Sequence, residues 1–294
     1  MLTHPSAPDR RPEDAAITHL GVPIMHHPAA TSDPRRQQIA HTHFATLAAL
    51  FDPGTFRRIQ TLGIASGWRC WEAGAGSASL PRWLARHSSP GGYVVATDRD
   101  TTALHEDLSE GGPAGDGVEI RQHDLGTDPP PPGSFDLVHA RLVLMHIPAR
   151  DNALTTMIRA LRPGGWLLLE DADPLLQPLA CPDQSGPAQE LANKIRAATW
   201  NLQSRRTDLA FGRTLPRLLR DAGLTGIGAD ACISLAGPAQ DQFQRTLIER
   251  QRHRLTEAGL ATDAEISQHL ADIGSGQLDL ASFPLVSAWG RKPG

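Results

Sequence analysis

Between Trp68 and Asp171 the chain alternates short apolar runs with amphipathic stretches. WRCWEA, YVVATD, VEIRQHD, FDLVHA and WLLLED read as strands. SLPRWLARH, TTALHEDLSE and DNALTTMIRALR, the last with Leu154, Ile158 and Leu161 on one face, read as helices. WLLLED is nearly continuously apolar, as a central strand covered on both sides must be. A strand that pairs parallel to the last one must return by a crossover, and a helix is the usual one. This alternation therefore predicts an α/β domain with a parallel sheet and helices on both faces.

The flanks differ. Residues 1–32 are rich in Pro, His and small polar residues without periodicity, and are expected to be a flexible N-terminal segment. Asp33 suits an N-cap and Pro34 the first helical position; Ile39, His43, Leu47 and Phe51 then recur on one face. A second short helix, TFRRIQTLG, stops at Gly63, so residues 33–66 are expected to be the N-terminal helices of a cap. Residues 67–185 form the ligand-binding core, and residues 186–206 read as a helical cap insertion. Residues 207–294 complete the core with strands at IGADACISLA and FPLVSAWGRK, for seven strands in all, separated by a helical insertion over about 238–276.

Composition excludes some partners. Lys and Arg number 28 against 32 Asp and Glu, a net charge of −4, whereas nucleic-acid phosphates or anionic membranes require a basic face. No apolar run is long enough for a membrane helix, and MLTHPSAPDRRPEDAA lacks the apolar core of a signal peptide, so a cytoplasmic protein is expected. Cys70, Cys181 and Cys232 show no metal-ligand spacing and read as free thiols.

WEAGAGSAS, from Trp71 to Ser79, reads as a strand end, a glycine turn and a helix start. Gly74 and Gly76 let the backbone turn sharply and approach a ligand, and the following helix directs N–H groups at it. Asp98 ends the next strand, where a carboxylate can accept both ribose hydroxyls of an adenosine. A nicotinamide-dependent oxidoreductase fits this much equally well. The dinucleotide fingerprint, however, wants a third glycine where this chain has Ser79. Glu72 is ill placed beside a pyrophosphate but well placed beside a cation or an ammonium group. Asp124, in the HDL that ends the third strand, can accept from an adenine amine while Leu125 packs on the ring.

The succession WEAGAG, VVATDRD, RQHDL, FDLVHARLVLMHIP and LRPGGWLLLED resembles the class I S-adenosylmethionine-dependent methyltransferases, closely over about residues 35–175 and more loosely beyond. It looks most like the small-molecule enzymes of actinobacterial secondary metabolism, such as those of antibiotic biosynthesis. The resemblance implies a Rossmann-like seven-stranded methyltransferase sheet with helices on both faces and a helical cap. It implies S-adenosylmethionine as cofactor and S-adenosylhomocysteine as product, with no metal. By position, Glu72 and the Gly74–Gly76 backbone hold the methionine part, Asp98 the ribose, and Asp124 and Leu125 the adenine, with Arg99 covering one side. Backbone at His139 and Ala140 lines the sulfonium, and Arg35 and Gln38 cap the cofactor carboxylate. Pro163–Gly165 is a turn before the fifth strand. The long helical segment, with residues 186–206 and the N-terminal helices, is expected to roof the active site.

Methyl transfer needs alignment and exclusion of water, and a base only where the acceptor must lose a proton. His146, just past the fourth strand, is the candidate base; packing and backbone bonding in that turn is the competing role. Glu170, Asp171 and Asp173 cluster at the end of the fifth strand, and Asp173 is the second catalytic candidate. Trp200 is read as facing an aromatic acceptor, with a core position as its alternative, and Arg141 as pairing with an anionic substrate or with the acidic cluster. The expected activity is methylation of a small hydrophobic or aromatic natural product at O, N or C, an indole carbon included. The alternatives are the oxidoreductase above and a cofactor-binding protein that does not methylate, such as a cyclase or regulator. The expected partner is a small molecule, for a monomer or homodimer that binds neither nucleic acid nor membrane.

Overall fold

A computed structural model describes residues 34–110 and 117–294, with side chains from residue 41 onward except that of Glu110. The expected flexible segment 1–32 and the Asp33 cap lie outside the described residues. Seven strands, β1 (Arg69–Ala73), β2 (Tyr93–Asp98), β3 (Val118–Gln122), β4 (Phe135–Arg141), β5 (Leu161–Ala172), β6 (Thr225–Cys232) and β7 (Leu285–Arg291), form one sheet in the order β3-β2-β1-β4-β5-β7-β6. The first five are parallel, and β7 runs antiparallel to both β5 and β6. The strand order reverses at β1 and β4, which opens a crevice at their carboxyl ends where open α/β sheets bind ligands.

Among the described residues eight α-helices accompany the sheet: α1 (Pro34–Thr61), α2 (Ser79–Ser88), α3 (Thr102–Glu110), α4 (Arg150–Ala160), α5 (Pro187–Ser204), α6 (Leu215–Asp221), α7 (Pro238–Glu257) and α8 (Asp263–Ser275). Side chains alternate across the strands, and both faces of the central strands are apolar. Cys70, Leu137 and Leu168 pack with Ile59 of α1 and Leu84 of α2. Val138, Leu167 and Leu169 pack with Met157 of α4 and Leu219 of α6. The continuous apolar run of β5 thus reflects burial on both sides. α5, α7 and α8 gather a separate apolar cluster around Ile195, Ile248, Leu255, Ile266 and Ile273. α8 starts on a capping box between Thr262 and Glu265 and stops at Gly276 in the left-handed region, φ +70°.

Two local expectations are corrected. Residues 33–66 are not two helices: α1 runs unbroken through Pro53. Proline removes one backbone donor from a helix interior; here the flanking Asp52 and Thr55 are tied to the sheet by Arg141. Pro163–Gly165 is a bulge inside β5 rather than a turn before it. The register passes from Phe135↔Leu161 to Leu137↔Trp166, so five steps on β5 face two on β4. Gly164 takes φ +76° and donates its N–H to the Lys292 carbonyl, while a Cβ on Gly165 would lie 2.8 Å from the Phe135 oxygen.

Candidate functional site

The turn after β1 requires its glycines. Gly74 and Gly76 take φ values of +72° and +63°. A Cβ on Gly74 would meet Val143 at 2.4 Å, and one on Gly76 would meet the Phe44 ring at 2.8 Å. The turn is tied to β2: the Gly74 and Ala75 N–H groups donate to the Thr97 carbonyl, and the Gly76 N–H donates to Asp98 Oδ2 at 3.0 Å. Asp98 is 2% exposed, and its other oxygen accepts the Asp100 N–H. At the end of β3, Asp124 accepts the Gly126 N–H through Oδ1, while Oδ2 lies 3.6 Å from Arg99 Nε.

These groups line a cleft of about 280 Å³ that brings together Gly74, Asp98, Arg99, Asp124, Leu125 and His146. A smaller hollow of about 50 Å³ adjoins it, lined by His43, Phe44 and Leu47 of α1 with Glu72, Gly76 and Arg141. Gly74 and Leu142 belong to both. Leu142 has φ +58°, a conformation that costs a side chain roughly 1–2 kcal/mol. Its N–H donates to the Glu170 carbonyl at 2.7 Å, so β4 turns away sharply where the two spaces meet.

Beneath the hollow lies a buried polar network. His139 Nδ1 is 2.6 Å from Glu72 Oε2, and its Nε2 is 3.2 Å from Glu170 Oε2. The Thr55 and Ser287 hydroxyls each donate to Glu170 at 2.5 Å. Arg141 donates to Thr55 Oγ1 at 2.9 Å and to Asp52 Oδ1 at 2.7 Å, and the Ser79 hydroxyl donates to Asp52 Oδ2. The network joins α1, β1, β4, β5, β7 and α2. Burial works against the His139 charge, but Glu72 and Glu170 outweigh it and raise the imidazole to about 9. Glu170 is pulled the other way: burial would raise it, and His139, Arg141 and Ser287 together hold it at about 2. Burial raises the Glu72 carboxyl above the ordinary range, only partly offset by His139 and Arg141.

Sequence comparison bears on what such a crevice belongs to. The family model described as a methyltransferase domain matches residues 71–169, the stretch that holds the glycine turn, both acidic strand ends and, of the histidine network, Glu72, Ser79, His139 and Arg141. Residues 71–169 therefore resemble a methyltransferase domain. The methyltransferase str3 of Strobilurus tenacellus is 32% identical over 126 residues, 42% of this chain and 44% of that protein. The ubiquinone/menaquinone biosynthesis C-methyltransferase UbiE of Bordetella parapertussis is 27% identical over 188 residues, 61% of this chain and 72% of that protein. The match thus spans less than half of str3. A crystal structure from Bacillus halodurans superposes with a TM-score of 0.50 at 18% identity, covering 80% of this chain and 97% of that one, and shares the fold.

Within and around the matched stretch, the candidate residues separate. Gly74, Gly76, Glu72, Asp98, Arg99, Asp124 and Leu125 border the two spaces. His139 and Ala140 do not; both are buried, and Leu142 and Val143, two to three residues on, line the crevice instead. His146 lines the larger cleft beside Leu125, away from the α1 hollow, a position suited to packing on a ligand ring. Asp173 is fully buried and turned away from the crevice: Arg213 grips it with Nε at 2.7 Å, Nη2 at 2.6 Å and its own N–H at 2.9 Å. A carboxylate so saturated is an anchor for the segment before α6, which corrects its catalytic assignment. Trp200 is core, packed on Phe283 at 6.3 Å between ring centroids. Arg141 does border the hollow, with Asp52 as its carboxylate partner. Arg35 and Gln38 lie on α1 with side chains outside the described residues.

The acidic cluster also dissolves. Glu170 joins the histidine network, Asp171 projects to the opposite face, and Asp173 binds Arg213. Burial pushes the Asp171 carboxyl well up despite the N–H groups of Met145 and Leu144. Among the described residues α1, part of the expected helical roof, lines the smaller hollow only, and α5, α7 and α8, the rest of that roof, line neither space. Sequence reasoning missed Asp52, Thr55 and Ser287, ordinary polar residues whose roles exist only through partners on distant elements. It also read Ser79 only as a missing glycine.

Proposed function

We propose that this protein is an S-adenosylmethionine-dependent methyltransferase acting on a small hydrophobic or aromatic acceptor, with S-adenosylhomocysteine as product. The supporting observation is the pair of joined spaces around a turn in which a Cβ on either glycine would strike Val143 or Phe44, with a carboxylate at the end of each of β2 and β3. A nucleoside fits the larger space. Asp98 accepts from the ribose hydroxyls, Asp124 from the exocyclic amine of adenine, and Leu125 and His146 pack on the ring, with Arg99 over the open side. The amino-acid end reaches the hollow, where Glu72 offers the carboxylate that an ammonium group requires.

When bound, the cofactor would supply an electrophilic methyl group open to in-line attack by the acceptor, with the thioether S-adenosylhomocysteine as the leaving group. The protein's task is to hold both reactants in register and keep water out. Leu142 and Val143 form the wall where the two spaces join, and Phe44 and Leu47 of α1 give the hollow an apolar side suited to an aromatic acceptor. The relative named as a C-methyltransferase of quinone biosynthesis favours carbon over O or N as the atom methylated. We further propose a role in secondary metabolism, in the cytoplasm, as a monomer or homodimer.

The test is calorimetric titration of the purified protein with S-adenosylhomocysteine, with NADH and NADPH alongside. Micromolar binding of the first alone supports the reading and justifies a methyl-transfer screen of aromatic acceptors. Binding of a nicotinamide cofactor alone would overturn it.

A further inference from the structure

α5, α7 and α8 enclose a cavity of about 10 Å³ that shares no lining residue with the two spaces of the crevice. Ile195, Leu247 and Ile248 give it apolar walls, but Arg196, Trp200 and His269 also line it, each 6% exposed or less. Arg196 is a buried cation. Its Nη1 donates to the Leu179 carbonyl at 2.9 Å and its Nη2 to the Ala281 carbonyl, and the guanidinium lies 5.9 Å from the Trp200 ring centroid. Among the described residues no carboxylate pairs with it, and burial draws the guanidinium down to about 10. Its titratable neighbours do not balance it. Burial keeps the Cys181 thiol neutral, at about 11, and the His269 imidazole neutral, at about 4. Asp183, Asp272 and Asp279 act on those two groups and not on Arg196. The Trp200 Nε1–H and His269 Nδ1 are buried without a hydrogen-bond partner. A buried indole N–H ordinarily finds an acceptor, and a neutral imidazole can carry its proton on Nδ1. The Thr199 hydroxyl already donates to the Ile195 carbonyl, and Gln244 Nε2 reaches Ala281 only at 3.5 Å. The unpaired amide oxygens of Gln240 and Gln251 belong to residues of α7 outside the lining. The lining is therefore rich in donors and carries one positive charge.

A cavity of this size admits one sphere about as large as a water molecule. Water would satisfy the two nitrogens but leave the cation unbalanced in an apolar surrounding, which is costly. We propose that this cavity is a binding site for a single monatomic anion, chloride under ordinary conditions, held by Arg196, the Trp200 N–H and a His269 Nδ1–H. Arg196 also joins the two connections that attach the helical unit to the sheet: Leu179 lies between β5 and α5, and Ala281 between α8 and β7. An anion that balances this guanidinium thus fixes α5, α7 and α8 on the sheet. The inference is independent of the cofactor reading.

The test is thermal unfolding of the purified protein at fixed ionic strength, with chloride exchanged stepwise for gluconate, an anion too large for the cavity. The expected Tm climbs with chloride and, past half-saturation, by an equal step for each tenfold increase, as for a ligand of the folded state alone. Trp200→Phe removes the indole N–H and should move the climb to higher chloride, and Arg196→Met should abolish it. In crystals of the unaltered protein grown with bromide, an anomalous peak should lie in the cavity beside Arg196, Trp200 and His269, which decides the matter even where a variant fails to fold. A Tm that ignores chloride would overturn the proposal. So would a climb that both variants leave untouched, which would assign it to surface ions, or bromide absent from the cavity.

Discussion

Replacing His139 by leucine keeps much of the side-chain volume and removes the charge and both ring nitrogens. In the folded protein His139 is fully buried between Glu72, at 2.6 Å, and Glu170, at 3.2 Å. Removing one partner of a buried ion pair costs about 3–5 kcal/mol, because the other is left charged and unsolvated. Two features hold the cost near the lower bound. Glu170 keeps the Thr55 and Ser287 hydroxyls, and Glu72 can take a proton at about 1.4 kcal/mol per pH unit above its own pKa. The expected loss at neutral pH is therefore about 3 kcal/mol, a fall in Tm of about 6 °C for a chain of this size. Urea unfolding at neutral and mildly acidic pH measures it. The loss should shrink at the lower pH, where protonated carboxylates no longer need the cation, and Glu72→Gln combined with His139→Leu should cost less than the sum of the two. A neutral-pH loss under about 1 kcal/mol, or strict additivity, would refute the argument that this imidazolium balances the buried carboxylates.

The unaltered protein should also report the network through pH. His139, raised from 6.5 to about 9, contributes stability that is present below the unfolded value and lost as pH climbs through about 9. Glu170, lowered from 4.5 to about 2, contributes stability present above pH 4.5 and lost as pH falls through about 2. Denaturation midpoints measured across this range should decline at both ends. Gly76→Ala should lower Tm and weaken S-adenosylhomocysteine binding, with φ +63° alone costing about 1–2 kcal/mol; Phe44→Ala in the same chain should relieve the clash at 2.8 Å but not that strain. Asp98→Ala should weaken S-adenosylhomocysteine binding by about 1–3 kcal/mol, measured by calorimetry, and unchanged affinity would sink its assignment to the ribose. Asp173→Asn should lower Tm while leaving that affinity unchanged, because the carboxylate binds Arg213 away from the crevice.

The legibility of this chain in its sequence divides by the range of the interaction concerned. Strand-helix alternation is a local periodicity, and it foretold the seven strands and the helices between them. Gly74 and Gly76 were readable because glycine's freedom is a property of the residue, and Asp98, Asp124 and Leu125 because strand ends in an open α/β sheet converge on one crevice. Pro163–Gly165 misled, since a Pro-Gly-Gly run signals a reversal and only pairing with β4 and β7 makes it a bulge. Asp173 misled for a related reason: adjacency to Glu170 and Asp171 suggested a shared site, but successive strand residues face opposite sides, and all three carboxylates found different partners.

By itself, the sequence determined the secondary-structure pattern, the sheet class and the carboxylates around the glycine turn, because periodicity and backbone freedom act over a few residues. Tertiary structure alone decided that, of the helices expected to roof the site, α1 lines the hollow while α5, α7 and α8 line neither space among the described residues. It also decided that Glu72, His139 and Glu170 form one charged unit, although 67 residues separate the first two and 31 the last two. Folding of the sheet brought these side chains together and away from water: burial raised Glu72, while the opposite charges now beside them outweighed burial, raising His139 and lowering Glu170.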